Sequence, residues 1–108
     1  MPTILGKLRK RSHGKLVLKL YVAGATRRSQ TAITTVASVC EEYSSASIDL
    51  EILDVYQAPL LAGEAGILVT PTLVKELPRP ACRLVGGLDE RKLVRRLLGP
   101  KFKGGSHG

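Results

Sequence analysis

The side chains in this sequence best suited to chemistry are two cysteines, two histidines and a short run of carboxylates. A thiol pair does redox work, or holds zinc, when it is spaced Cys-x-x-Cys, and it works best at a helix start, where the backbone dipole stabilises a thiolate. Cys40 and Cys82 stand far apart and alone, so both read as small buried hydrophobes. His13 and His107 lie in terminal segments without apolar periodicity. A His-based triad or a metal centre would need those segments to order around it. No catalytic residue, metal ligand or cofactor site is assigned. Asp49 and Glu51 alternate onto one strand face, with Asp54 on the other face or at the strand end, which describes a solvated surface rather than a paired acid and base. Gly24, Gly63, Gly66, Gly86 and Gly87 fit no phosphate-loop spacing and read as turns.

Charge says more than reactivity does. The chain has 108 residues, 44% of them apolar, with 17 basic against 9 acidic side chains and a formal net charge of +8. That is one domain with an aliphatic core, too short for a two-domain enzyme. Residues 1–20 carry a net +6, residues 21–74 a net −4 and residues 75–108 a net +6. Basic ends around an acidic middle suit an acidic protein partner, a polyanion or an anionic membrane surface. Three Tyr, one Phe and no Trp leave few platforms for stacking bases, so nucleic acid is not the expected partner. No apolar run approaches the roughly 18 residues that a bilayer span needs, and no signal-peptide stretch opens the chain. A cytoplasmic location is expected, without membrane contact.

The elements that must position these groups follow from apolar period. Leu16 to Ala23, bounded by Gly14 and Gly24, reads as a strand with both faces covered. From Thr26 the period changes, with Ala32, Ile33, Val36, Ala37, Cys40 and Tyr43 on one helical face. Thr26 or Ser29 caps the start, and the serines at 44, 45 and 47 end the helix. Ile48 to Ile52 alternates strictly and the segment continues through Val55, a second strand expected to lie parallel to the first after a helical crossover. Pro59 to Ala65 makes a short helix, and Ile67 to Val74 a strand interrupted by Pro71. Turns at Pro78-Arg79-Pro80 and Gly86-Gly87 flank a short strand at Arg83–Val85. Asp89 caps a last helix built on Leu93, Val94, Leu97 and Leu98. The resulting order, β-α-β-α-β-β-α, is an α/β thioredoxin-like arrangement. It places a basic arm at 1–15, the domain at 16–98 and a basic tail at 99–108. Where thioredoxin-type proteins hold Cys-x-x-Cys, this chain has Thr26-Arg27-Arg28-Ser29.

The sequence resembles the family of the circadian clock protein KaiB. The resemblance is carried by Leu18-Lys19-Leu20-Tyr21-Val22-Ala23-Gly24, Asp54-Val55, Pro59 and Leu61-Ala62. It continues through Ile67-Leu68-Val69-Thr70-Pro71-Thr72-Leu73, Lys75, Leu77-Pro78, Pro80, Arg83 and Gly86. The match runs ungapped from Leu16 to Leu88. The chain departs from the family at Ala25-Thr26-Arg27, where the family has Asn-Thr-Pro, and at Gly87, where it has Asp. The basic, glycine-rich tail replaces an acidic, aromatic one.

That resemblance implies a non-enzymatic regulator that binds the hexameric KaiC ATPase ring, sequesters KaiA and competes with the histidine kinase SasA. It also implies a second, resting tetrameric fold, and therefore homo-oligomers. On carry-over, Lys75 and Arg83, and with less weight Arg28, are the expected partner contacts, since each cation can meet an acidic ring surface. Pro71, Pro78 and Pro80 are the expected switch prolines, because a cis X-Pro bond costs only about 0.5–1 kcal/mol and exchanges over tens of seconds or more. Pro71 is expected to be cis. Leu93 to Leu98 has helical spacing, so the thioredoxin-like form is expected to dominate, with 89–98 helical. The competing reading is a thioredoxin-like stress adaptor that binds anions or nucleic acid through its basic ends. A thiol oxidoreductase would have only Cys40 or Cys82 acting alone.

Overall fold

A computed structural model describes residues 16–44 and 47–99. The basic arm at 1–15 and the tail from 100 onward lie outside the described residues. The elements are β1 (Leu16–Val22), α1 (Arg27–Cys40), β2 (Ile48–Asp54), α2 (Pro59–Glu64), β3 (Thr72–Leu77), β4 (Cys82–Val85) and α3 (Arg91–Leu98). They form one four-stranded sheet in the order β2-β1-β3-β4. β2 lies parallel to β1, as a helical crossover requires, whereas β3 runs antiparallel to β1 and β4 antiparallel to β3.

β1 is central, its residues alternating between a wholly apolar face and a second face that carries Val17, Lys19 and Tyr21. Leu16, Leu18, Leu20 and Val22 point to one side, where they meet Ala32, Val36 and Val39 of α1, Val94 and Leu98 of α3, and Leu73 of β3. Tyr21 points to the other side, against Leu53, Ala62 and Val74. Leu18 and Leu20 are wholly buried, and each contributes roughly 1.5–3 kcal/mol by leaving water.

α1 starts where the sequence places it. The Thr26 hydroxyl accepts the Ser29 N–H at 3.1 Å, a side-chain N-cap. Its end and its buried face differ from expectation. The helix stops at Cys40, and its core face is Ser29, Ala32, Thr35, Val36 and Val39. Ala37 is half-buried and Tyr43 lies beyond the helix. The Glu42 and Tyr43 N–H groups bond back three residues, to the Val39 and Cys40 carbonyls. This tightened last turn swings the Tyr43 ring onto the core, and its hydroxyl donates to the Gly99 carbonyl after α3.

Three further expectations are corrected. The segment 67–71 is not a strand, and β3 opens only at Thr72, because Pro71 brings no N–H to a ladder. The Thr72 hydroxyl instead closes a turn on the Val69 carbonyl at 2.7 Å. α3 begins at Arg91 with Glu90, not Asp89, in the cap position, and Glu90 makes no side-chain capping bond. Cys82 is exposed, because β4 is the edge of the sheet, while Cys40 is half-buried as a small hydrophobe against the core. The Thr70-Pro71, Leu77-Pro78 and Arg79-Pro80 bonds are all cis, Pro71 as expected.

Gly87, one of the positions that depart from the KaiB pattern, has φ +73, and a Cβ there would stand 2.6 Å from Leu93 Cδ1. Glycine lets the β4–α3 turn sit close against α3.

Candidate functional site

The loop from β1 into α1 is fully committed to its own structure. Ser29 is buried; its hydroxyl donates to the Ala23 carbonyl at 3.2 Å and accepts from the Thr26 hydroxyl at 3.0 Å. The Asp54 carboxylate accepts the Gly24 and Tyr56 N–H groups at 3.1 and 2.9 Å. It joins the end of β1 to the loop after β2, a structural role rather than the solvated one expected. A shallow cavity of about 260 Å³ lies alongside, bordered by Arg27, Arg28, Thr31, Pro71, Gly87 and Asp89. Among the described residues neither a thiol nor an imidazole lines it. Of the two thiols, Cys40 is pushed up to about 11 by burial, which holds it in the unreactive protonated form. Among the described residues no group of three His, Cys, Asp or Glu side chains is placed to hold a metal ion.

The three cations carried over from the resemblance are not brought together. Arg28 sits exposed in the first turn of α1. Lys75 is half-buried on β3, opposite Leu18 and Cys82, on the helix-covered side of the sheet. Arg83 pairs across β4 with Val74 and so belongs to the other side. Its guanidinium donates to the Gly66 carbonyl at 3.1 Å and to the Ala65 carbonyl. Arg83 therefore ties the edge strand to the turn after α2. Pro71 is buried, whereas Pro78 and Pro80 are exposed in the β3–β4 turn.

Sequence reasoning missed a group of exposed apolar side chains around α2 and the segment that follows it. Leu68 is 93% exposed, Leu60 79% and Tyr56 75%, with Leu61 and Val69 also exposed. All five fall between β2 and β3, on or beside α2. Single exposed apolar residues are ordinary, but these five come from one short stretch of chain. A signal was present in the sequence. Leu60, Leu61 and Ala62 are consecutive on a six-residue helix, and at about 100° per residue three consecutive side chains span more than one narrow face, so part of the run is expected to be exposed.

On the open side of the sheet, Tyr21 is buried beside Glu76 and Glu51. Burial first, and then those two carboxylates, raise the pKa of its phenol, while Arg83 acts in the opposite direction. The face is polar where α2 does not reach, with Lys19 Nζ 3.5 Å from Glu76 Oε2. The described helices are none of them long and apolar enough to cross a membrane.

Comparison with known proteins gives this arrangement its relatives. The KaiB domain matches residues 19–100. The circadian clock protein KaiB3 of Synechocystis is 41% identical over 85 residues, covering 79% of this chain and 81% of that protein. The circadian clock oscillator protein KaiB of Microcystis aeruginosa is 45% identical over 78 residues, covering 72% and 75%. Among solved structures, the N-terminal domain of Synechococcus elongatus SasA superposes with a TM-score of 0.63 at 25% identity, over 80% of this chain and 81% of that one. Mitochondrial thioredoxin 3 of Saccharomyces cerevisiae superposes with a TM-score of 0.66 at 11% identity, over 90% and 83%, which speaks for the fold alone. The expected thioredoxin-like fold is thus the one observed, its thiol position given over to an N-cap, and with the domain match spanning most of its length the chain belongs to the KaiB family.

Proposed function

We propose that this chain is a non-enzymatic circadian timing regulator that docks on a hexameric KaiC-like ATPase ring in the cytoplasm and modulates its phosphorylation cycle. The observation that carries docking is the exposed apolar group Tyr56, Leu60, Leu68 and Val69 around α2. Buried between two proteins, such side chains supply the apolar centre that a specific interface needs. Arg83 adjoins this surface through the carbonyls of Ala65 and Gly66 and is the proposed cationic contact. Lys75 and Arg28 lie on other parts of the molecule, so their weight in the same interface is smaller.

The shared fold of the SasA N-terminal domain supports competition with a SasA-like kinase for one ring surface, with a KaiA-like protein as a further partner. Under this reading the thioredoxin-like arrangement is the docking form, and dimers or tetramers belong to the family's resting fold. Pro71, Pro78 and Pro80 stay in the proposal as the segment where the two folds diverge.

The test is to mix the purified chain with the KaiC-like protein of its own organism, in ATP and in ADP, and to follow complex formation by native mass spectrometry. A defined complex in at least one nucleotide state is expected. Its absence in every state overturns the reading.

A further inference from the structure

A cleft of about 270 Å³ opens on the polar part of the sheet, between α2 and strands β1, β2 and β3. Among the described residues Glu64 and Glu76 line it with one ammonium group, Lys19, and Glu51, which has a further interaction of its own, borders it. The Lys19–Glu76 pair, at 3.5 Å, leaves both side chains partly solvated, so it neutralises only part of the charge. Tyr21 also lines the cleft and is 3% exposed. Buried phenol hydroxyls ordinarily find a hydrogen-bond partner. Among the described residues the Tyr21 hydroxyl has none, although Glu76 and Glu51 both act on it electrostatically. It is a polar group at the floor of an acidic cleft, without a protein partner among the described residues.

The shape of the lining selects the kind of cation. The carboxylates do not converge closely enough to hold a metal, and a compact charge could approach only one or two of them. A planar guanidinium carries five donors in a fixed fork and reaches several separated acceptors at once. Leu53, Leu61 and Ala65 form an apolar wall suited to the methylene stem of an arginine, which buries its carbons while its head is bonded. The fold already seats one guanidinium close by, where Arg83 donates to the carbonyls of Ala65 and Gly66. The half-exposed Leu61 and the exposed Leu60 continue from this wall to the surface of α2, so a protein lying on α2 would cover the cleft.

We propose that this cleft is a binding site for an arginine side chain presented by a partner protein, with its guanidinium between Glu64, Glu76 and the Tyr21 hydroxyl. The site is defined by its chemistry, so it stands whether or not that partner is a KaiC-like ring.

The probe is N-acetyl-arginine methylamide, titrated into the full chain while backbone amide shifts are followed by NMR, with the lysine and alanine analogues as controls. Saturable shifts are expected for residues 19–21, 51–53, 61–65 and 74–76. Affinity is expected to be about threefold to tenfold weaker for the lysine analogue, and weaker by a similar factor in Glu64→Gln and in Tyr21→Phe. Both variants should keep native spectra, and Tyr21→Phe should melt no lower than the parent, since it removes a hydroxyl that has no partner among the described residues. Equal shifts with the alanine analogue, no shifts up to about 50 mM probe, or undiminished binding in both variants would overturn the site. The same shifts on raising protein concentration alone, without probe, would assign the arginine to a second copy of this chain and overturn the partner assignment.

Discussion

The two faces of the sheet are built to different specifications. On one, α1 and α3 close over Leu16, Leu18, Leu20 and Leu73, all essentially without solvent contact, and Val36, Val39 and Val94 fill the spaces between them. On the other, among the described residues, the six-residue α2 and the short segments flanking it cover Tyr21, Leu53 and Val74, and charged Lys19, Glu51 and Glu76 share the same strands. The closed face accounts for most of the apolar burial, and hence for most of the stability. The open face keeps exposed leucines and, among the described residues, a buried hydroxyl without a partner, features that add little to a folded monomer. The packed core sits on one side of β1, and the proposed contacts lie on the other.

The contrast breaks most readily on the closed face. Leu18→Ala should destabilise the chain by about 2–5 kcal/mol, because a fully packed site loses both transfer energy and cavity contacts. Equilibrium denaturation measures this; a loss below about 1 kcal/mol would show that the closed face is looser than described. Next in size is the effect of Leu60→Ser or Leu68→Ser. Either should change stability by no more than about 0.5 kcal/mol, yet weaken the KaiC-like complex by about tenfold or more if the apolar surface is its centre. Titration calorimetry on each variant separates the two effects. Unchanged affinity in both would move the interface off α2.

A smaller effect sharpens the role of α3. The segment after α1 grips that helix at several points: Glu42 pairs with Arg91 and Arg95 at 3.0 and 2.8 Å, and the Tyr43 hydroxyl reaches the Gly99 carbonyl. Tyr43→Phe should cost about 0.5–1.5 kcal/mol, and faster amide exchange should be confined largely to residues 91–98. Helical backbone chemical shifts across those residues in the parent chain would establish that the closed face dominates in solution. Extended shifts there would point to the other fold.

The smallest effect is chemical. Iodoacetamide at mildly alkaline pH should modify exposed Cys82 first and spare Cys40, whose thiol is pushed up to about 11 by burial. The sign of the pH effect follows from the raised value. The folded chain holds the Cys40 proton longer than the unfolded chain, so this contribution is complete below the ordinary thiol range and fades as pH rises toward about 11. Mass spectrometry of the labelled peptides gives the order of modification, and the reverse order would place Cys82, not Cys40, in the packed interior.

Much of this was legible in the sequence, for a reason common to each part. The strand at Leu16, the Thr26 cap, the alternation from Ile48 and the helical spacing of Leu93, Val94, Leu97 and Leu98 are local patterns, set by the period of the backbone. The family resemblance likewise rests on contiguous residues. Tertiary structure alone decided what depends on neighbours distant in the chain. β4 became the sheet edge, so Cys82 turned outward and Arg83 found the carbonyls of Ala65 and Gly66. Asp54 met Gly24 N–H, and Tyr43 reached past α1 to Gly99. Pro71 removed a donor that its apolar neighbours concealed, so β3 starts later than the run of Ile67 to Val74 indicates. Hydrophobic periodicity tells a side chain whether it is buried, but not which partner it meets or which strand ends the sheet. Those follow from the packing order β2-β1-β3-β4, which no single stretch of sequence encodes.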